Sequence, residues 1–157
     1  MPASFSASFW LPTPGGASRP GGGIRRFRFG CFSGIEIQSW RQDALLFESG
    51  RADLKDTAAF LLENISPELK AFKGEIVVEG HTDNQPLGSR SKYKSNWELS
   101  VARAFSVIQS LTASGVDPEH LSARGYGSYR PRAPNDTAEH RTENRRIEII
   151  LLNPPKA

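Results

Sequence analysis

Three short segments of the 157-residue chain carry more polar specificity than a packed domain needs. The first, Gly80-His81-Thr82-Asp83-Asn84-Gln85-Pro86, follows a run of β-formers, Ile76-Val77-Val78, and so falls where a buried strand ends. In open α/β sheets the loops at the carboxyl ends of strands are the usual seats of ligands. Asp83 in such a loop can hold a ligand cation, or it can cap a turn. The second, Asn96-Trp97-Glu98-Leu99-Ser100-Val101-Ala102-Arg103, reads as helix. At about 100° per residue, Asn96, Leu99 and Arg103 share one side, and Arg103 lies off the apolar stripe of Val101, Ala104, Phe105, Ile108 and Leu111. A guanidinium there grips a carboxylate, or it is simply solvated. In the third, Asn144-Arg145-Arg146-Ile147-Glu148-Ile149, strand alternation puts Arg145 with Ile147 and Ile149 and Arg146 with Glu148. The two arginines therefore have different jobs, and a salt bridge to Glu148 or Glu79 accounts for one of them without a ligand.

These residues do not assemble into a catalytic set. His81 stands near Asp83, but His120 and His140 are distant in sequence, and neither an H-E-x-x-H run nor a Cys-His ligand spacing occurs, so no metal and no cofactor is expected. The lone Cys31 has no partner for a disulfide and no adjacent base, and reads as a small hydrophobe. His81 reads as a structural histidine at a strand end.

The elements that must position the three segments alternate along the chain. Residues 1–30 are rich in Ser, Ala, Pro, Gly and Arg, bury too little apolar surface to order, and read as a disordered tail; residues 31–157 read as one domain. Arg19, Arg25, Arg26 and Arg28 belong to that tail, which contains no acid. They leave 16 basic against 17 acidic residues over 31–157, so the excess of positive charge is the tail's and does not argue for nucleic acid. A half-buried strand is predicted from Phe32 through Ile35 and Ile37, and a helix from about Ser49-Gly50 to Pro67 carrying Leu54, Ala58, Leu61, Leu62 and Ile65. A central strand follows over 75–80. The next helix opens on the capping box Ser95-Asn96-Trp97-Glu98 and closes at Gly115. A short strand at 121–126, a Pro- and Asn-rich loop to about Thr142, and a last strand from Arg145 to Leu152 complete a β-α-β-α-β-β order. That order makes an α/β two-layer sandwich, a mixed sheet with helices on one face.

In order and on the expected elements, Gly80-His81-Thr82-Asp83, Asn96-x-x-Leu99-Ser100-x-x-Arg103-Ala104, Gly125-Tyr126-Gly127 and Asn144-Arg145-Arg146-Ile147-Glu148-Ile149 resemble the OmpA-like domain. The resemblance covers roughly residues 35–152. Asp83-Asn84-Gln85-Pro86, the insertion through Tyr93 and Arg124-Gly125-Tyr126-Gly127 with Arg130-Pro131 are most similar to the MotB-type flagellar stators within that family. It implies non-catalytic binding of peptidoglycan through the diaminopimelate of its peptide stem, anchoring an envelope or motor protein to the cell wall in the periplasm. Asp83 would take the ammonium and Arg103 the carboxylate of that zwitterion, with Thr82, Asn84 and Asn96 adding hydrogen bonds and Arg145 or Arg146 supporting the pocket. Peptidoglycan is the implied partner, with room for a homodimer. The rival readings are a partner-binding module of an envelope machine with the same fold and, further off, a hydrolase. Residues 1–30 show neither a secretion signal nor a membrane span. A fragment of a longer exported protein and a misassigned start are the expected explanations, and membrane anchoring would require an upstream segment.

Overall fold

A computed structural model describes residues 35–40 and 43–153. The expected tail, Cys31 and the predicted start of the first strand lie outside them. The elements are β1 (Ile35–Trp40), α1 (Asp43–Leu46), α2 (Asp56–Ala71), β2 (Glu75–His81), α3 (Asn96–Ala113), a 3-10 turn (Pro118–His120), β3 (Leu121–Gly125), α4 (Ala138–Asn144) and β4 (Arg146–Leu152). The sheet runs β1-β4-β2-β3. β4 is antiparallel to both β1 and β2, and β2 is parallel to β3, as a crossover through α3 requires. The expected mixed sheet with helices on one face is the fold.

Period-2 alternation separates the two faces of the sheet. Ile76 and Val78 of β2 with Ile147, Ile149 and Leu151 of β4 join Ala58, Leu62 and Leu69 of α2 and Ala104, Val107 and Leu111 of α3 in the core. The opposite face carries Val77, Glu79 and His81 of β2 and Arg146 and Glu148 of β4, all buried. Register sets Glu79 beside Glu148 and His81 beside Arg146.

The helices depart from the sequence expectation in four ways. Ser49-Gly50 does not begin a helix: Gly50, at φ 68°, makes a turn, and α2 starts six residues later with Lys55 as its N-cap. Pro67 does not end α2, which continues to Ala71. Pro67 and Glu63, whose carbonyl loses its donor to the proline, are both exposed, so water can replace the missing bond while Leu69 docks in the core. The predicted loop to Thr142 contains α4, capped by the Thr137 hydroxyl, and Arg145 is the C-cap of α4 rather than the first residue of the strand. On α3 the buried residues are Leu99, Ser100, Arg103, Ala104, Val107 and Leu111, whereas Val101 is exposed and Phe105 is 53% exposed. The predicted stripe is therefore rotated, and Arg103 faces inward.

The cause of that rotation is a close approach. A Cβ on Gly80 would lie 2.1 Å from the Ser100 carbonyl oxygen, and one on Gly125 would lie 2.4 Å from Val101 Cγ2 and 2.6 Å from Ser100 Oγ. Small residues meet small residues, so the helix docks through Ser100 and Ala104 instead of its bulkier side. The Ser95 half of the capping box forms, with Ser95 Oγ accepting from the Glu98 N–H at 3.2 Å, while the Glu98 carboxylate accepts from the N–H of Lys94, one residue before the N-cap, at 2.8 Å. Gly115, at φ 90°, closes the helix as expected. Gly80→Ala forces backbone against backbone, and it is expected to lower stability by at least about 2 kcal/mol, read as a fall in the urea midpoint at unchanged slope.

Candidate ligand-binding site

The loop after β2 is held from three sides and by a bond of its own. The Thr82 N–H donates to the Gly127 carbonyl at 2.9 Å and the Thr82 hydroxyl to the Asp83 carbonyl at 2.9 Å. The Asn96 side-chain amide, one residue into α3, donates to the carbonyls of Asp83 (3.3 Å) and Gln85 (2.8 Å). The Asn84 N–H donates to Asn135 Oδ1 at 3.3 Å. A loop this heavily bonded presents its side chains in one conformation.

Asp83 is buried, and both its oxygens are engaged. Oδ1 accepts from the Gln85 N–H at 3.1 Å, the turn-capping role, and Oδ2 accepts from Arg145 Nη1 at 2.5 Å. Arg145 also donates to the Thr142 hydroxyl at 2.8 Å, and its side chain is 34% exposed. The pair joins the β2 loop to the end of α4 across 62 residues of sequence. Strand alternation had placed Arg145 with Ile147 and Ile149; as the C-cap of α4 it is free of that alternation and turns toward Asp83.

Arg103 is 2% exposed. Its Nε donates to the Arg51 carbonyl at 2.8 Å and Nη2 to the Glu48 carbonyl at 3.4 Å, and its guanidinium lies 4.9 Å from the Phe47 ring centroid. It pins the turn before α2 to α3. Thr82 is buried, whereas Asn84 is exposed. Sequence reasoning gave no role to Asn135, Thr142 or α4. The segment Ala138–Asn144, AEHRTEN, has almost no apolar residue and hence no periodicity to find. Asn144 was noticed only as part of a motif. It is fully buried, accepts from the N–H groups of Arg132 (2.7 Å) and Ala133 (2.9 Å), and donates to the Ala133 carbonyl (2.8 Å) and Asn135 Oδ1 (2.9 Å).

Arg146 belongs to a second network on the face away from the helices. It donates to Glu148 at 2.5 Å and to the Asn144 and Arg130 carbonyls at 3.2 and 3.3 Å, the salt bridge that a ligand-free account of this segment expects. Arg132 lies 3.6 Å from Glu148, and Glu79 is flanked by the Tyr126 hydroxyl at 3.2 Å and Arg124 at 3.7 Å. Like charges directly opposite in a sheet repel, and these arginines offset the Glu79–Glu148 juxtaposition. Glu79, His81 and Glu148 bring their ligand atoms within 4.8 Å of one another. The surrounding arginines already neutralise both carboxylates, and they would repel an added cation. His81 stacks on Tyr126 at 5.4 Å, and neither ring nitrogen has a hydrogen-bond partner among the described residues. Burial, reinforced by the charge of Arg146, pushes its pKa down to about 4.

Residues 46–145 match the OmpA family. The chain belongs to the OmpA family. Motility protein B of Bacillus subtilis is 40% identical over 113 residues, covering 71% of this chain and 43% of that protein. The chain thus spans less than half the length of this curated relative. The crystal structure of the periplasmic domain of Helicobacter pylori MotB is similar at TM-score 0.71 and 33% identity, covering 78% of this chain and 79% of that one. The cell wall anchor of the T6SS from Pseudomonas aeruginosa is similar at TM-score 0.71 and 36% identity, covering 77% and 83%. The likeness to MotB-type domains read from the motifs is thereby borne out, in sequence and in fold. Of these three relatives, the second is described as a periplasmic domain and the third as a cell wall anchor. Among the described residues no helix is long and apolar enough to cross a membrane.

His81 gives this site a pH signature. Above about pH 6.5 its ring is neutral in both folded and unfolded chains. As pH falls from there, the unfolded chain gains a proton that the folded one resists until about pH 4, so stability declines across that window. His81→Gln is expected to flatten the decline, measured as the urea midpoint of wild type and variant at pH 7, 5.5 and 4.5.

Proposed function

We propose that this domain binds peptidoglycan without cleaving it, through the zwitterionic end of diaminopimelate in the peptide stem, and anchors an envelope or motor protein to the wall in the periplasm. The observation that carries this reading is the Asp83–Arg145 pair at the rim of the β2 loop, a carboxylate and a partly exposed guanidinium bonded to each other. An amino-acid zwitterion offers the complementary pair, with its ammonium directed to Asp83 and its carboxylate to a guanidinium. Arg145 is the guanidinium in contact with Asp83. Arg103, which the family resemblance names for the carboxylate, is oriented by the Arg51 and Glu48 carbonyls and is the second guanidinium of the proposed site. Asn96, Thr82 and Asn84 hold the loop and rim. Arg146 supports the sheet beneath through Glu148.

Charge-assisted hydrogen bonds contribute about 1.5–3 kcal/mol each. Two or three give a weak individual site, on the order of micromolar to millimolar once immobilisation is subtracted. Multivalency along a polymeric wall, or in a homodimer, raises the effective hold. The chemistry present favours binding over hydrolysis, because His81 is buried beside carboxylates already held by arginines.

Pulldown on purified peptidoglycan tests the assignment. Asp83→Asn and Arg145→Gln are each expected to lower retention about ten-fold or more with the fold intact by circular dichroism. Arg103→Gln is expected to lower both retention and the thermal midpoint, because it releases the 48–51 turn. Retention unchanged in both Asp83→Asn and Arg145→Gln would refute the site, and soluble muropeptides released from the wall would refute non-catalytic binding.

A further inference from the structure

Beside the ion-pair site stands an aromatic pair that the fold does not use. Trp97 follows Asn96 on α3, and Tyr129 closes the turn after β3 with its N–H on the Tyr126 carbonyl at 3.1 Å. Their ring centroids are 5.3 Å apart with planes at 52°, and the residues are 48% and 75% exposed. Their mounting is rigid. Gly127, at φ 53°, brings its backbone so close to α3 that a Cβ there would lie 3.1 Å from the Trp97 nitrogen, and the Gly127 carbonyl takes the Thr82 N–H. The aromatic shelf and the Asp83 loop are thus fastened to the same piece of backbone.

Exposed aromatic faces are electron-rich, and they pair with weakly positive C–H groups. A pyranose ring presents such a face while its equatorial hydroxyls remain in water, and the chain neighbours of the two rings, Lys94, Glu98, Ser128 and Arg130, are polar. The ligand proposed above carries such a ring. The stem of peptidoglycan hangs from a sugar, two to three residues from diaminopimelate, a reach of up to about 10 Å when extended. We infer that Trp97 and Tyr129 form a glycan subsite, stacking a sugar of the strand whose stem Asp83 and Arg145 hold; the inference rests on the peptidoglycan reading.

Two soluble probes separate the inference from that reading: N-acetylglucosaminyl-N-acetylmuramyl-tetrapeptide, and the same tetrapeptide without sugar, each titrated calorimetrically against the protein. Wild type is expected to bind the glycosylated probe about ten-fold tighter, equivalent to about 1.4 kcal/mol. Trp97→Ala and Tyr129→Ala, both at exposed positions, are expected to bring that ratio near one and leave tetrapeptide affinity within about two-fold. Asp83→Asn is expected to weaken both probes together. Equal binding of the two probes by wild type, or a Trp97→Ala variant that keeps the full preference for sugar, overturns the subsite and leaves the peptide site standing. Failure of wild type to bind either probe overturns the peptidoglycan reading and the subsite with it. A Trp97→Ala variant that changes the sedimentation of the protein but not its sugar preference assigns the pair to a protein contact and overturns the subsite as well.

Discussion

The docking of α3 onto β2 and β3 at glycine distance governs the rest of the molecule. With no Cβ at Gly80 or Gly125, the Ser100 backbone settles against the sheet, and Ser100 Oγ is left beside the loop after β3, where it accepts the Gly127 N–H at 2.9 Å. That seat sets the rotation and height of the helix. It turns Ala104, Val107 and Leu111 into the core, carries Asn96 over the β2 loop, and brings Arg103 against Phe47 and the turn before α2. A helix set about 2 Å further out would lose the Asn96 clamp altogether, since hydrogen bonds do not stretch that far.

Irregular backbone near a protein interior must have its N–H and C=O groups satisfied one by one. Here asparagines do most of that work. Asn96 takes two carbonyls of the β2 loop, Asn144 serves Arg132 and Ala133, and Asn135 links Asn84 to Asn144. The side-chain amide suits this use because it donates and accepts without charge and so needs no counter-ion when buried. The loops after β2 and β3 and the approach to α4 are in effect cross-linked, and the ordering cost of the charged pair at their centre is met during folding, before any ligand arrives.

The regular elements were legible because their signals are local: the β-formers at 76–78, the capping box at Ser95, Gly115 after α3. Legibility failed where a tertiary contact decided. Phe105 looks like core and Arg103 like surface until the glycines opposite α3 are known to face Ser100, and Pro67 looks like a helix end until Leu69 is known to have a place in the core. The site divides in the same way. Asp83 and the polar loop around it stand out by position after a strand, and Arg146 with Glu148 follows from alternation. Arg145 reads as a residue of the strand face of Ile147 and Ile149, because α4 has no apolar stripe to announce it and its end sets where that side chain turns. Asn135 and Thr142 escaped because their partners, Asn84 and Asn144 for the one and Arg145 for the other, meet them only in the fold.

In the proposed site, the internal bond between Asp83 and Arg145 would make recognition an exchange rather than an addition. A ligand bearing only a positive charge could take the carboxylate, but it would cost Arg145 its carboxylate partner; one bearing only a negative charge would cost the buried Asp83 its guanidinium. Truncating one side of such a pair is far costlier than the pair itself is favourable. Only a molecule presenting both charges at about their own spacing returns each group a partner. On that proposal, salts, polyamines and simple acids would be rejected by the protein's own ion pair, without any steric gate, because each of them can answer one half of the question but not both.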